Sequence, residues 1–111
     1  MKYALLIYTS PEVFGRHQQD GASVLAEYES IAAAPGILDG RQLQPVESAT
    51  TVRVENGEAL LTDGPFVAAK EYLGGFYLLE ADNLDAATEM AARIPAARLG
   101  GAVEVRPIVE R

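Results

Sequence analysis

Apolar residues follow two different rhythms along this chain. Lys2 to Thr9 reads KYALLIYT, with Tyr3, Leu5 and Ile7 on one alternating set and Ala4, Leu6 and Tyr8 on the other. Both sets are apolar, as in a strand covered on both sides. Phe76 to Ala81 (FYLLEA) has the same character. Between these strands the period becomes helical. From Ser23 to Ala34, Val24, Leu25, Tyr28, Ile31 and Ala32 share one face, while Glu27, Glu29 and Ser30 take the other. Pro35-Gly36 predicts the end of this helix, with Gly36 free to take a positive φ. Leu84 to Ile94 predicts a second helix that buries Leu84, Ala87, Met90, Ala91 and Ile94. Asp82 or Asn83 can cap it and Pro95 stops it. Residues 10–20, polar and carrying Pro11 and Gly15, read as a loop.

The remaining segments are shorter. Ile37 to Gln44 is a weak strand interrupted by Asp39-Gly40. Ala49 to Glu55 alternates, Asn56-Gly57 follows, and Glu58 to Leu61 returns, which predicts a β-hairpin. Asp63-Gly64-Pro65-Phe66 is a turn. Gly74-Gly75 precedes a strand rather than opening a helix, so it predicts a bulge or a close backbone approach and not a phosphate loop. Val103 to Val109 is the last strand, and Pro107 suggests an edge position there or an irregularity in pairing. The order is β-α-β, an inserted hairpin, then β-α-β. It predicts an α+β, ferredoxin-like βαββαβ fold in one domain over residues 1–111. Both helices then lie on one face of an antiparallel sheet, because right-handed crossovers place them there.

Two helices cover only one face. The other carries several large apolar side chains, a patch that monomers rarely expose. Burying each is worth roughly 1.5–3 kcal/mol, and no spare segment is large enough to do it. The pattern therefore predicts a two-fold homodimer packed sheet against sheet. The competing expectation is that the hairpin folds over that face.

Composition narrows the chemistry. The chain has 111 residues, a net charge of −7, no Cys, no Trp and one His. It offers no disulfide, no thiol nucleophile, no thiolate metal site and no multi-His metal centre. No nucleotide or metal motif is present, so no cofactor is expected. An acidic chain without a basic stripe is a poor partner for nucleic acid. No segment reaches the ~20 apolar residues of a membrane span. The six apolar residues Tyr3 to Tyr8 are too few for a secretory h-region, which leaves a cytoplasmic protein as the expectation.

Several motifs stand in a fixed order. Met-Lys-Tyr-x-Leu-Leu-Ile-Tyr opens the chain. Asp63-Gly-Pro-Phe66, Lys70-Glu71, Leu73-Gly-Gly-Phe-Tyr-Leu78, Pro95-Ala-Ala-Arg98 and Val103-Glu-Val-Arg-Pro107 follow. Together the set resembles the YCII-related proteins of the DGPF subgroup over nearly the whole chain. The resemblance implies the dimeric α/β-barrel version of the ferredoxin-like fold. It also implies a family with little assigned chemistry, a subgroup often encoded near alternative sigma factors, and some relatives that act on small aromatic compounds through a His–Asp pair. Here the one histidine is His17, and no nearby residue matches that pair.

The candidate site residues are few. Asp63 ends a strand at a Gly-Pro turn. Either it bonds its own turn backbone, or it projects between sheets as a desolvated carboxylate that transfers protons. Tyr8 and Tyr77 can aim phenols at a small organic ligand or simply pack. Arg53 and Arg106, with Glu104, can line a cleft and grip a carboxylate, or pair across strands. His17 can act as a general base or stand exposed in its loop. These residues suit a cofactor-independent lyase or isomerase with Asp63 as the proton-transfer group. The alternative is a non-catalytic dimeric module that senses a metabolite or docks onto a transcription protein such as a sigma factor.

Overall fold

The computed structural model describes the backbone of residues 1–111 and every side chain except those of Phe14, Gln18 and Asp20. The two-sided strands take the centre. Strand β1 (Lys2–Thr9) is flanked by β5 (Tyr72–Glu80) and β6 (Ala102–Pro107), and β2 (Ile37–Gln42) pairs on the far side of β5. All neighbours are antiparallel, and the order β2-β5-β1-β6 is that of a ferredoxin-like sheet. Pro107 ends the edge strand β6, where a missing N–H donor costs no ladder bond.

Helices α1 (Pro11–Ala32), α2 (Leu84–Ala92) and α3 (Pro95–Arg98) cover one face. The core lies between them and the sheet. Tyr3 and Leu5 are 1% and 0% exposed, packed with Ile7, Tyr77, Leu79, Ile31, Ala87, Ala91, Ile94 and Ala96. Asn83 caps α2 by accepting from the Ala86 amide at 2.9 Å, as expected. Leu25 and Leu84 depart from expectation, at 59% and 53% exposed. A helix resting on one sheet with water on both flanks buries only a narrow stripe, here Val24, Tyr28 and Ile31.

The segment read as a loop, residues 10–20, is helical. Ser10 accepts from the Val13 amide at 3.3 Å, Pro11 stands at the first helical position and Glu12 in the first turn. Ser-Pro-Glu is thus a helix start rather than only a strand stop. The helix breaks further on: Gly21 takes φ 44°, ψ −110°, and α1 folds into two pieces there.

Strand β5 begins earlier than Phe76 and runs through Gly74-Gly75. Ile7 pairs with Gly75 and Tyr8 with Leu73, which leaves Gly74 as the extra residue of a bulge.

Strands β3 (Thr50–Glu55) and β4 (Glu58–Asp63) form a separate two-stranded ribbon. Asn56 and Gly57 both have positive φ, 51° and 80°, as a type I′ turn requires. The ribbon has no substantial packing against any other strand or helix. It therefore leaves the second face of the sheet uncovered, against the expectation of a folded-over hairpin. The chain is a slab of 45 × 41 × 19 Å, one sheet and one helix layer thick. Among the described residues, no helix is long and apolar enough to cross a membrane.

Candidate functional site

The uncovered face is built by strand alternation. Tyr3, Leu5 and Ile7 turn to the helices, so Ala4, Leu6 and Tyr8 turn away. Opposite Leu6 and Ala4 on β5 stand Phe76 and Leu78. These residues form a half-buried apolar stripe along the two central strands. Each edge strand adds an ion pair beside it. On β2, Arg41 stands opposite Phe76 and Asp39 opposite Leu78, and the two charges meet each other. On β6, Glu104 stands opposite Leu6 and Arg106 opposite Ala4, and they too are paired. Oxygen Oε2 of Glu104 is shielded from water and has no hydrogen bond, so Arg106 alone balances it. The result is an apolar floor between two charged rails, each with a guanidinium and a carboxylate. Such a surface suits a flat, partly apolar molecule with oxygen substituents at its rim.

The candidate residues divide among three places. Tyr8 and Arg106 share the open face. Tyr77 lies on the helix side, with its ring in the core and its hydroxyl donating to the Tyr28 carbonyl at 3.0 Å. Its ring fills the space over Gly40, where any Cβ would collide with it, and burial pushes its phenol pKa up. Arg53 and Asp63 lie on the ribbon. The Arg53 guanidinium stacks on the Phe66 ring at 4.6 Å. Asp63 is exposed at the end of β4, opposite Thr50. The Gly64 amide donates to Ala49 O at 2.7 Å and Thr51 Oγ1 donates to Gly64 O at 2.8 Å. Backbone and Thr51 thus secure this turn, and no hydrogen bond of the Asp63 carboxylate occurs among the described residues.

His17 sits in helix α1, not in a loop, and is partly buried. Its Nδ1 is 2.8 Å from Val13 O and its Nε2 3.0 Å from Tyr28 Oη. A nitrogen facing a carbonyl must carry a proton, so Nδ1 donates to Val13 O, and Nε2 bonds the Tyr28 hydroxyl. The Ala96 backbone amide, at the start of α3, bonds the same phenol oxygen. Burial, only partly offset by that amide, raises the Tyr28 pKa to about 12. His17 and Tyr28 are eleven residues apart, about 16 Å along a straight helix. Only the fold-back at Gly21 lets them meet, with rings stacked at 5.8 Å. The pair clasps the two pieces of α1 and ties them to α3. Periodicity alone could not reveal this clasp, because it depends on the break. Glycine at position 21, after a Ser-Pro-Glu start, was the available signal.

Arg98 reaches across to α1 and pairs with Glu27 at 2.5 Å. That pair, with Ser30, Ile31 and Arg93, lines a shallow outer cleft of about 230 Å³. Among the described residues, no three His, Cys, Asp or Glu side chains gather as a metal site.

Sheet order, helix placement and inserted ribbon define a ferredoxin-like α+β domain with one open sheet face. The chain belongs to the YCII family: the model of the YCII-related domain matches residues 1–111. A protein of Rhizobium meliloti (strain 1021), called uncharacterized protein R00369, is 32% identical over 117 residues, spanning 97% of this chain and 92% of its own length. Among solved structures, the chain resembles 5-chloro-2-hydroxyhydroquinone dehydrochlorinase from Burkholderia phenoliruptrix AC1100 in complex with 2,5-dihydroxybenzoquinone. The TM-score is 0.57 at 18% identity, covering 100% of this chain and 96% of that one. At that identity the likeness shows the fold alone.

Proposed function

We propose that this protein is a homodimer of the α/β-barrel type that binds a small organic ligand against the open sheet face and acts on it by acid–base chemistry without a cofactor. The observation that carries this reading is the apolar stripe of Leu6, Tyr8, Phe76 and Leu78 held between two ion-paired rails. Tyr8 and Arg106 are the ligand-contacting residues on this face, with Asp63 as the proton-transfer group. Arg53 joins them through the ribbon, and Tyr77 and His17 support the fold behind the site. The dehydrochlorinase with the shared fold holds a dihydroxybenzoquinone, a flat ring with oxygen substituents of the kind this surface suits.

The test is titration with 2,5-dihydroxybenzoquinone and related hydroxylated rings. Saturable binding that weakens about tenfold in Arg106→Ala or Tyr8→Ala, a loss typical of one charge-assisted or ring contact, supports the reading. Binding that is absent, or indifferent to both changes, sinks it.

A second reading is favoured by one observation. The candidate residues lie in three separate places of one chain. A non-catalytic dimeric module, sensing a metabolite or docking onto a transcription protein, needs no assembled acid–base set. Ligand binding without turnover, together with capture of a purified sigma factor, supports this alternative.

A further inference from the structure

The helix layer carries a concave surface of its own, away from the open sheet face. It is the shallow cleft of about 230 Å³ where α1 meets the connection between α2 and α3. Arg93 is the residue that closes α2, and Arg98 ends α3. Between them Ile94, Pro95 and Ala96 are wholly buried, so the backbone that carries both arginines is anchored in the core. Two guanidiniums thus leave the two ends of one fixed connection and line the same cleft. The buried Ile31 lies at its base, and Ser30 adds a hydroxyl on the α1 wall.

Charge is arranged here unlike on the sheet. There each guanidinium has a carboxylate of its own, Asp39 beside Arg41 and Glu104 beside Arg106. In the cleft two guanidiniums stand against one carboxylate, Glu27, which pairs with Arg98. Arg93 turns instead to Met90, with Nη1 3.6 Å from Sδ, and a thioether is a weak, uncharged acceptor. Among the described residues no carboxylate lies within ion-pair distance of Arg93. The cleft therefore carries a local positive excess on a chain of net charge −7. Glu27 fixes the Arg98 fork across the cleft, and Arg93 is left to be balanced from outside. Guanidiniums bind oxyanions through forked, charge-assisted hydrogen bonds. The volume equals about eight waters at ~30 Å³ each, below the ~300–1,000 Å³ of sites for larger ligands. It has room for an oxyanion with a short organic body.

We propose that this cleft is a binding site for the phosphate or carboxylate group of a small anionic metabolite, gripped by Arg93 and Arg98 together. The bound oxyanion ties α1 to the connection between α2 and α3. The site is separate from the ligand face proposed above, and neither depends on the other.

Titration of ¹⁵N-labelled protein with inorganic phosphate and, separately, with malonate tests the proposal, at neutral pH and with ionic strength held constant by sodium chloride. The readouts are the arginine Nε–Hε signals and the Ser30 amide. Saturable shifts at Arg93, Arg98 and Ser30 are expected with at least one of the two anions. Arg93→Gln is expected to weaken that binding about tenfold, the loss of one charge-assisted contact. Glu27→Gln removes a like charge from the wall and is expected to tighten it about fivefold, the effect of one unit charge at about 4 Å in water. A pair that served only to hold the helices together would give no such tightening. Saturation with phosphate alone marks phosphorylated ligands and with malonate alone marks carboxylates, and either upholds the site. Shifts that grow linearly with both anions, or binding indifferent to both substitutions, overturn it. If Arg93→Gln fails to fold, the direction of the Glu27→Gln change decides alone.

Discussion

Strand β1 shows two faces of one sequence under different conditions. Tyr3, Leu5 and Ile7 meet helices and are buried, Leu5 completely. Ala4, Leu6 and Tyr8, no less apolar, meet nothing in their own chain beyond their sheet neighbours and remain half-buried. Both sides are apolar, and supply of a covering layer differs. The comparison teaches that a two-sided apolar strand reports what must lie against it, whether or not its own chain provides that layer. The ribbon carries the same lesson further out, with Val52, Val54 and Leu61 left in water.

The first prediction sets the faces against each other. Leu5→Ala removes side-chain bulk from a closed core and is expected to cost about 3–4 kcal/mol of folding stability, read from denaturant unfolding. Leu6→Ala is expected to cost about 1 kcal/mol within the chain and to weaken self-association instead. Equal unfolding costs, independent of protein concentration, would erase the distinction between the faces.

Charging the open face is the next largest effect. Leu6→Asp is expected to leave helical circular dichroism intact and raise the dimer dissociation constant about a hundredfold, the equivalent of one fully buried leucine. Sedimentation across a dilution series measures it.

Behind the covered face, Tyr28→Phe removes a hydroxyl that bonds both His17 and the Ala96 amide. The expected cost is about 1–2 kcal/mol. Hydrogen exchange should rise in residues 11–20 and around Ala96, while β1 stays protected. Uniform exchange across the chain would show that the clasp is not a local device.

Alkaline pH probes the same phenol. The folded state keeps the Tyr28 proton up to about pH 12, against 10.0 for an ordinary tyrosine. Between those values the folded chain binds more protons than the unfolded one. The stability contribution is therefore complete below pH 10 and is lost as pH rises through 12. Allowing for partial exposure, the loss is roughly 1–2 kcal/mol, and Tyr28→Phe should lack that component. Smallest of all, Glu27→Gln breaks an exposed pair with Arg98 and should shift stability by no more than about 1 kcal/mol.

Much of the fold was legible because local rules and tertiary structure agree. The type I′ turn at Asn56-Gly57, the bulge at Gly74, the Asn83 cap and the edge position of Pro107 all follow from local residue chemistry. Residues 10–20 read as a loop because their polarity hides a helix whose start signal is the cap and proline rather than a stripe. Leu25 and Leu84 were placed inside because helical period marks a face but not how wide a stripe its neighbours cover. The site was less legible still. Alternation put Tyr8 and Arg106 on strands, and their shared face depends on register between β1 and β6, which no single segment encodes. Tyr77 illustrates the same limit, since only pairing with Leu5 shows which side its phenol takes. His17 needed the break at Gly21 before Tyr28 came within reach.

Light scattering of the unmodified protein at micromolar concentration bears most directly on whether the bare side of the sheet is sealed by another copy. The expected mass is twice the chain's 11.9 kDa, falling to a single chain in Leu6→Asp. A single-chain mass for the unmodified protein would contradict the account.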